Sequence, residues 1–220
     1  MAGAAFFDLD RTLLRRSSAL ALAGSFRERG LISRRQLAKA AGWQLLFVLR
    51  GASHEAVRRA AEDGLIVLRG FTPDEMRDLV AEAMEPVLRP LVYAEPLRLV
   101  EQHHARGDRV YIVSATLQEI VQAIADDLGF DGALGTVCEV RDGAYTGHAL
   151  RPMHAENKAA AVRELGFDLG ECTAYSDSHT DLPLLEAVGA PVAVNPDRRL
   201  RAVAAQRGWP VLAFKERRAA

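Results

Sequence analysis

Cysteine is scarce in this sequence, which has two in 220 residues, Cys138 and Cys172. They lie far apart and outside any Cys-x-x-Cys spacing, so the sequence contains neither a disulfide framework nor a zinc-site pattern. The first residues also lack a basic leader and an apolar stretch of signal-peptide length. We therefore expect a chain that stays in the reducing cytoplasm.

The sequence also lacks a strong net charge and a long apolar run. Its formal net charge is -1, so there is no overall basic field to attract nucleic acid, and no nucleic-acid partner is expected. The most apolar helical stretch, residues 45–49, is interrupted by Gln44, Arg50 and Gly51, too early to span a bilayer. The hydrophobic content of 49% is enough for one domain with a sizeable insertion.

Five short apolar runs look like buried strands because they lack alternating polarity, a pattern that favours a parallel sheet. They are Ala4 to Leu9, Arg109 to Ala115, Cys172 to Ser176, Pro191 to Val194 and Pro210 to Phe214. Between the later runs lie helical patterns at separations that suit right-handed crossovers, namely Leu117 to Leu128, Ala155 to Leu165 and Leu182 to Val188. The sequence therefore predicts an α/β fold with a doubly wound parallel sheet.

The segment 17–88 has a different pattern, that of a small helical bundle inserted after the first strand. It contains no convincing strand, and glycines separate four stretches with helical apolar periodicity, at Gly30, Gly51 and Gly70. We therefore predict an α/β core of residues 1–16 and 89–220, which carries the active site, and a helical cap of residues 17–88, which selects the substrate.

Two short sequence motifs predict where a helix begins and where a hairpin turns. Thr72 is the expected N-cap of the last cap helix, because Pro73 follows at the first helical position and Glu75 closes a capping box. The residues 141–143, Arg-Asp-Gly, predict a hairpin turn between strands at 136–140 and 144–148.

Acidic residues follow two of the predicted strands. Asp8 and Asp10 lie two apart on one side of an extended chain, directly after the first strand. Asp177 and Asp181 follow another strand, and the carboxyl ends of parallel strands meet at one edge of the sheet. An isolated Asp-x-Asp is usually a solvated turn, but carboxylates delivered by two strands predict a site for a hard cation.

A hydroxyl and an amine are expected at the same edge. Ser114 ends the second predicted strand, and Thr116 with Glu119 forms a capping box, so a helix N-terminus that favours anions should begin just beyond it. Lys158 falls in the first turn of a helix, where a cation is disfavoured unless an anion compensates. The alternatives are a helix-entry serine and an exposed lysine paired with Glu156.

Taken together, Asp8-x-Asp10-x-Thr12, Ser114, Lys158 and Asp177-Ser178-x-x-Asp181 resemble the four motifs of the haloacid dehalogenase superfamily. The order and the placement at strand ends or helix starts both match. The helical insertion after the first motif looks like the cap of the phosphoserine-phosphatase-like branch. The resemblance implies a phosphatase that acts on a small-molecule phosphomonoester with Mg2+ as cofactor.

The resemblance also implies a role for each motif residue. Asp8 would be the nucleophile that forms an aspartyl phosphate, and Asp10 would protonate the leaving oxygen and later deprotonate water. Asp8, Asp177 and the backbone carbonyl of Asp10 would hold Mg2+. The substrate phosphate would be held by Thr12, Ser114, Ala115 and Lys158, with Thr12 also supporting the two aspartates. Ser178 and Asp181 would lie around these groups, with Asp181 orienting metal-bound water or Lys158.

The sequence departs from the family pattern at three places. Arg11 stands where the superfamily often has Gly, Ala115-Thr116 stand where phosphoserine phosphatases usually have Gly-Gly, and Ser17 stands where they typically have a Glu that reads the substrate amine. Phosphoserine is therefore one candidate beside histidinol phosphate, another small metabolite and a lysophospholipid.

Other conspicuous residues are interpreted as structural. Arg11, Arg15 and Arg16 are expected on a solvated basic face, although they enter the cap close to the site. The apolar cluster of Trp43, Leu46, Phe47 and Leu49 is expected in the cap core, although it could line a pocket for an apolar leaving group. His179 is the one histidine inside a motif; it could reach the mouth of the site, but we expect it at the surface.

Two other functions are compatible with parts of this pattern. A phospho-receiver signalling domain uses a similar acidic cluster. However, its phosphoryl group is carried by an Asp that follows a middle strand, and it has no helical insertion after the first strand. A phosphotransferase or mutase would use the same aspartyl phosphate and pass it to an alcohol instead of water. Product analysis separates this last alternative from hydrolysis.

Overall fold

The computed structural model describes residues 3–30 and 65–216. Within them, one seven-stranded sheet has the strand order β4-β3-β2-β1-β5-β6-β7. The strands are β1 (Ala4–Phe7), β2 (Arg109–Leu117), β3 (Gly132–Arg141), β4 (Ala144–Arg151), β5 (Thr173–Ser176), β6 (Ala190–Val194) and β7 (Val211–Leu212). All neighbouring pairs are parallel except β3 and β4. The predicted α/β fold with a doubly wound parallel sheet is confirmed, and the antiparallel pair of β3 and β4 lies at one edge of it.

Helices cover both faces of this sheet. The α-helices are α1 (Ser18–Glu28), α2 (Pro73–Ala83), α3 (Ala94–Ala105), α4 (Gln118–Leu128), α5 (Glu156–Glu164), α6 (Leu182–Ala187) and α7 (Arg198–Arg207). A π-helical turn (Met84–Leu88) and a 3-10 turn (Arg89–Leu91) link α2 to α3, and further 3-10 turns cover Leu169–Glu171 and His179–Asp181. None of the helices in the described ranges is long and apolar enough to cross a membrane.

The first strand shows why the sheet is covered on both sides. All four of its residues are buried, and successive side chains point to opposite faces. Ala5 and Phe7 belong to one hydrophobic cluster and Ala4 and Phe6 to the other. A strand that is buried on both faces needs no polar residues until it ends, which explains its uninterrupted apolar sequence.

The hairpin prediction is confirmed, and the hairpin extends the main sheet. Asp142 and Gly143 both adopt positive φ, 51° and 81°, as a tight two-residue turn between right-twisted strands requires. β3 also pairs in parallel with β2, with Tyr111 opposite Gly132. β4 therefore runs antiparallel to its neighbour β3, at the edge of the sheet.

The cap prediction falls partly on described residues. Helix α2 begins as expected, because the Thr72 hydroxyl accepts the Glu75 N–H at 3.1 Å and the Glu75 carboxylate accepts the Thr72 N–H at 2.8 Å. Helices α1 and α2 pack together. Gly51 and the Trp43, Leu46, Phe47 and Leu49 cluster lie outside the described residues. The boundaries of the cap stay a prediction.

Candidate active site

The three central strands deliver their carboxyl ends to one edge of the sheet. β1 lies between β2 and β5, with Phe7 opposite Ile112 on one side and Tyr175 on the other. Asp8 follows β1, and its N–H donates to the Tyr175 carbonyl at 2.9 Å. Asp177 follows β5 directly. Asp8 and Asp177 are therefore each the first residue after one of two neighbouring parallel strands, at the same edge of the sheet.

Lys158 joins two of the predicted acidic residues. Its Nζ donates to Asp8 Oδ1 at 2.6 Å and to Asp181 Oδ2 at 2.7 Å, and its side chain is only 3% exposed. The Ser176 hydroxyl donates to the same Asp181 oxygen at 2.8 Å. The alternative of an exposed lysine paired with Glu156 is wrong, because the first turn of α5 directs Lys158 into the interior.

Burial and the neighbouring charges shift the pKa values of the groups in this cluster. Burial alone would lower the pKa of Lys158, but Asp181 and Asp8 outweigh it and raise that pKa above its ordinary value. Burial raises the pKa of Asp8 to about 7, although Lys158 opposes the shift. Burial and the nearby Asp8 also raise the pKa of Asp177 well above its usual range. Burial thus disfavours the ionised form of both carboxylates.

The Asp10 carboxylate is held by the start of α1. Its Oδ1 accepts the N–H of Ser18, in the first turn of α1, at 2.8 Å. Burial raises its pKa, and the hydrogen bonds from Ser18 and Ser17 oppose that rise. Ser18 Oγ lies 3.1 Å from Thr116 Oγ1 on β2. Sequence reasoning missed Ser18, and the contact could not be anticipated because it depends on where α1 starts relative to Asp10.

Three residues predicted to hold the substrate phosphate, Thr12, Ser114 and Ala115, differ in whether their polar atoms already have partners. Thr12 is fully buried, and its Oγ1 has no hydrogen-bond partner within the described part of the chain, so it does not support Asp8 or Asp10 through a hydrogen bond. Ser114 is buried, and its hydroxyl accepts the Thr116 N–H at 3.2 Å. The Ala115 carbonyl accepts the Thr136 hydroxyl at 2.8 Å.

The predicted capping box after Ser114 is wrong. β2 continues to Leu117, which pairs with Thr136 of β3, and α4 begins at Gln118 with Leu117 as its N-cap. Thr116 therefore lies in the strand and cannot cap the helix. The helix N-terminus comes four residues after Ser114 instead of directly behind it.

The loop after β5 is shaped by its own polar residues. The Ser178 N–H donates to the Ser176 hydroxyl at 3.2 Å, and the Ser178 hydroxyl accepts the Thr180 N–H at 3.3 Å. His179 was expected at the surface, but its side chain is only 15% exposed and Nδ1 lies 2.9 Å from Asp197 Oδ2. That expectation was wrong, because α7 begins beside this loop.

Arg11 also lies in a position that differs from the expectation. Its Nε lies 3.3 Å from Asp177 Oδ2, and 46% of its side chain is exposed. Arg15 instead donates to the Pro90 carbonyl at 2.9 Å. Arg11 is therefore a partner of a predicted metal ligand and not only part of a solvated basic face.

The donor set suits a hydrated hard cation more than a closed metal site. In residues 3–30 and 65–216, no three His, Cys, Asp or Glu side chains are grouped to hold a metal ion. Asp8 and Asp177 offer two buried carboxylates, while the Asp10 carboxylate is engaged by Ser18. Mg2+ typically binds one or two carboxylates and keeps several waters. The residues present therefore fit Mg2+ and do not fit a zinc centre.

Comparisons with known proteins point in the same direction. Residues 5–186 match the family model of haloacid dehalogenase-like hydrolases. An inhibition of morphological differentiation protein from Streptomyces azureus is 43% identical over 216 residues, which cover 96% of this chain and 78% of that protein. A probable phosphatase from Mycobacterium tuberculosis is 44% identical over 215 residues, which cover 96% of this chain and 75% of that one.

A solved structure shares the whole arrangement. The crystal structure of a protein of unknown function from Bordetella pertussis superimposes with a TM-score of 0.82 at 33% sequence identity. The match covers 96% of this chain and 98% of that one. The likeness thus extends over nearly the full length of both chains.

Proposed function

The chain belongs to the haloacid dehalogenase-like hydrolase family and is a phosphatase, and from that premise we propose that it hydrolyses a small phosphomonoester with Mg2+, through an aspartyl phosphate on Asp8. One observation carries the proposal. Lys158, buried beneath Asp8, donates to that carboxylate and to Asp181 at once. A buried ammonium group shared by two carboxylates positions a charged nucleophile and leaves positive charge beside an incoming phosphate.

The first half of the reaction uses Asp8 and Asp10. An Asp8 oxygen attacks phosphorus, an oxygen–phosphorus bond forms, and the bond from phosphorus to the leaving oxygen breaks. Asp10 donates its proton to that oxygen. Burial raises the pKa of Asp10, a shift in the direction that favours the protonated form. The leaving group departs as a neutral alcohol.

The second half reverses the proton's direction. Asp10, now ionised, takes a proton from water, and the water oxygen attacks phosphorus. The bond from phosphorus to Asp8 breaks, so that inorganic phosphate is released and the Asp8 carboxylate is restored. Asp10 has regained its proton and is ready for another turnover.

The surrounding residues hold the transferring group and the cation. The Thr12 and Ser114 hydroxyls, the backbone at Ala115 and the Lys158 ammonium bind the phosphoryl oxygens. Asp8, Asp177 and the Asp10 carbonyl would hold Mg2+, which would supply the positive charge that lets a carboxylate approach an anionic phosphate. Ser178 shapes the loop that carries Asp177, and Asp181 holds Lys158 in place.

A cytoplasmic location is part of the same proposal. Cys138 and Cys172 are both buried free thiols, which fits a reducing compartment.

The test is phosphate release from an aryl phosphate and from a panel that includes phosphoserine and histidinol phosphate, with and without Mg2+. We expect Mg2+-dependent release of inorganic phosphate that Asp8→Asn abolishes. Asp142→Asn, an equivalent change in the exposed β3–β4 turn, is the matched control and should keep full activity. Turnover by a folded Asp8→Asn variant, or transfer of phosphate to an added alcohol with no free phosphate, would contradict the proposal.

A further inference from the structure

Arg11 has an unusual backbone conformation for its residue type. Its φ is 67°, in the left-handed region that glycine enters without penalty and an L side chain rarely adopts. Arg11 follows Asp10, at a position where the first motif of the superfamily often has Gly. An arginine in this backbone conformation carries a conformational cost. We therefore expect a favourable contact of its side chain that offsets this cost.

The compensating contact is with Asp177. Arg11 Nε lies 3.3 Å from Asp177 Oδ2, and the Asp177 side chain is only 5% exposed. A guanidinium group stays protonated at any ordinary pH. Arg11 thus supplies positive charge directly to a buried carboxylate.

The two partners differ in their freedom to separate. The Asp177 carbonyl accepts the N–H of Asp197 at 2.8 Å, which ties the backbone of that loop to the start of α7. Arg11 has 46% of its side chain in solvent, so its guanidinium group can move into water at small cost. If a second cation approaches, Arg11 is the partner that can leave.

We propose that Arg11 is a built-in counter-ion of Asp177 which competes with Mg2+ for that carboxylate and so weakens the affinity of the site for the metal. Arg11 acts through Asp177, so it is a positioning residue. The inference rests on the proposed function, because it takes Asp177 as a Mg2+ ligand. It goes further in assigning to one residue of this chain the control of metal affinity.

The test is calorimetric titration of the substrate-free protein with Mg2+. Arg11→Gln removes the charge and keeps a non-glycine side chain at the same φ, and Arg11→Lys keeps the charge. We expect Arg11→Gln to bind Mg2+ about fivefold more tightly than the parent, the size expected for loss of one half-exposed ion pair. Arg11→Lys should stay within about twofold of the parent, since it preserves the competing charge.

A charge-matched control and a second readout separate competition from general electrostatics. Arg16→Gln removes an exposed positive charge five positions along the chain and should leave the Mg2+ affinity within about twofold of the parent, because salt screens exposed charges. Without metal, Arg11→Gln should melt below Arg11→Lys, and saturating Mg2+ should reduce that gap because it stabilises the variant that binds it more tightly.

The outcomes distinguish this inference from the function on which it rests. If the parent binds Mg2+ and hydrolyses aryl phosphate while Arg11→Gln binds the metal no more tightly, the inference is wrong and the proposed function stands. An equal gain in Arg16→Gln would also overturn it. If the parent neither binds Mg2+ nor releases phosphate, both fail.

Discussion

Replacing Lys158 with Met tests whether the buried ammonium group holds the site together. Lys158 is 3% exposed, and the side chains of Asp8 and Asp181 that it bonds are 10% and 4% exposed. Removing one partner of a buried ion pair typically costs about 3–5 kcal/mol, because the other charge stays buried without compensation. For a chain of this length, about 3–5 kcal/mol corresponds to a fall in melting temperature of roughly 10 °C.

The loss of stability in Lys158→Met should depend on pH. Lys158 opposes the rise in the pKa of Asp8, so its removal raises that pKa further. At acidic pH the variant can protonate Asp8 and avoid an uncompensated charge, whereas at alkaline pH it cannot. The difference in unfolding free energy between parent and Lys158→Met should therefore be larger at pH 8 than at pH 5.

Urea denaturation followed by circular dichroism at both pH values measures this difference. Lys215→Met, which alters an exposed lysine, is the matched control and should change stability little. Turnover of Lys158→Met should fall by about 100-fold or more, with weaker substrate binding, because a positioned charge beside the phosphate is lost. Parent-like stability and activity at pH 8 would refute the role given to Lys158.

Three further predictions follow from individual residues. Because the folded-state pKa of Asp8 is raised to about 7 from 3.8, the metal-free protein should lose stability as pH rises from about 4 to 7, and Asp8→Asn should flatten that slope; a slope equal to the parent's would contradict this. Thr12→Val should leave stability unchanged or raise it by about 1 kcal/mol, since a buried unpartnered hydroxyl is removed, while the KM for an aryl phosphate increases; an unchanged KM would remove Thr12 from the phosphate site. Thr72→Ala should cost about 1 kcal/mol in urea denaturation by breaking the capping box of α2, and a loss below about 0.3 kcal/mol would refute it.

The parts of the fold that local sequence determines were predicted well. The family and the α/β sheet are confirmed, and each of the five apolar runs contains a strand. The reason is clearest for β1, which is buried on both faces and must therefore be apolar throughout. The Thr72 capping box and the turn at Asp142 and Gly143 are confirmed for a similar reason. Each depends on residues within a few positions of one another.

Features that depend on distant pairing were missed or displaced. The Thr116-x-x-Glu119 pattern predicted a helix start, but pairing of β2 with β3 keeps Thr116 extended. The last predicted strand shortens to Val211–Leu212, because the Phe214 N–H donates to the Asn195 side chain at 3.0 Å instead of continuing the strand pairing. Neither competing contact can be read from a local pattern.

In the candidate site, too, the residues could be predicted from local patterns, whereas some of their contacts could not. Strand ends, a helix start and the resemblance to the superfamily motifs were enough to nominate Asp8, Lys158 and Asp181, which the structure joins by hydrogen bonds. The contact of Ser18 with Asp10 and that of Arg11 with Asp177 were not anticipated. Both depend on how the chain turns after β1, where the positive φ of Arg11 redirects it.

The most direct test of the whole account is to trap the phosphoryl group. The enzyme is mixed with excess aryl phosphate and Mg2+, quenched in acid within one turnover, digested, and analysed by mass spectrometry. We predict that the N-terminal peptide carries one added phosphoryl group, that fragmentation places it on Asp8, and that Asp8→Asn carries none. A phosphoryl group on another residue, or rapid phosphate release with no labelled peptide at any quench time, would contradict the central claim.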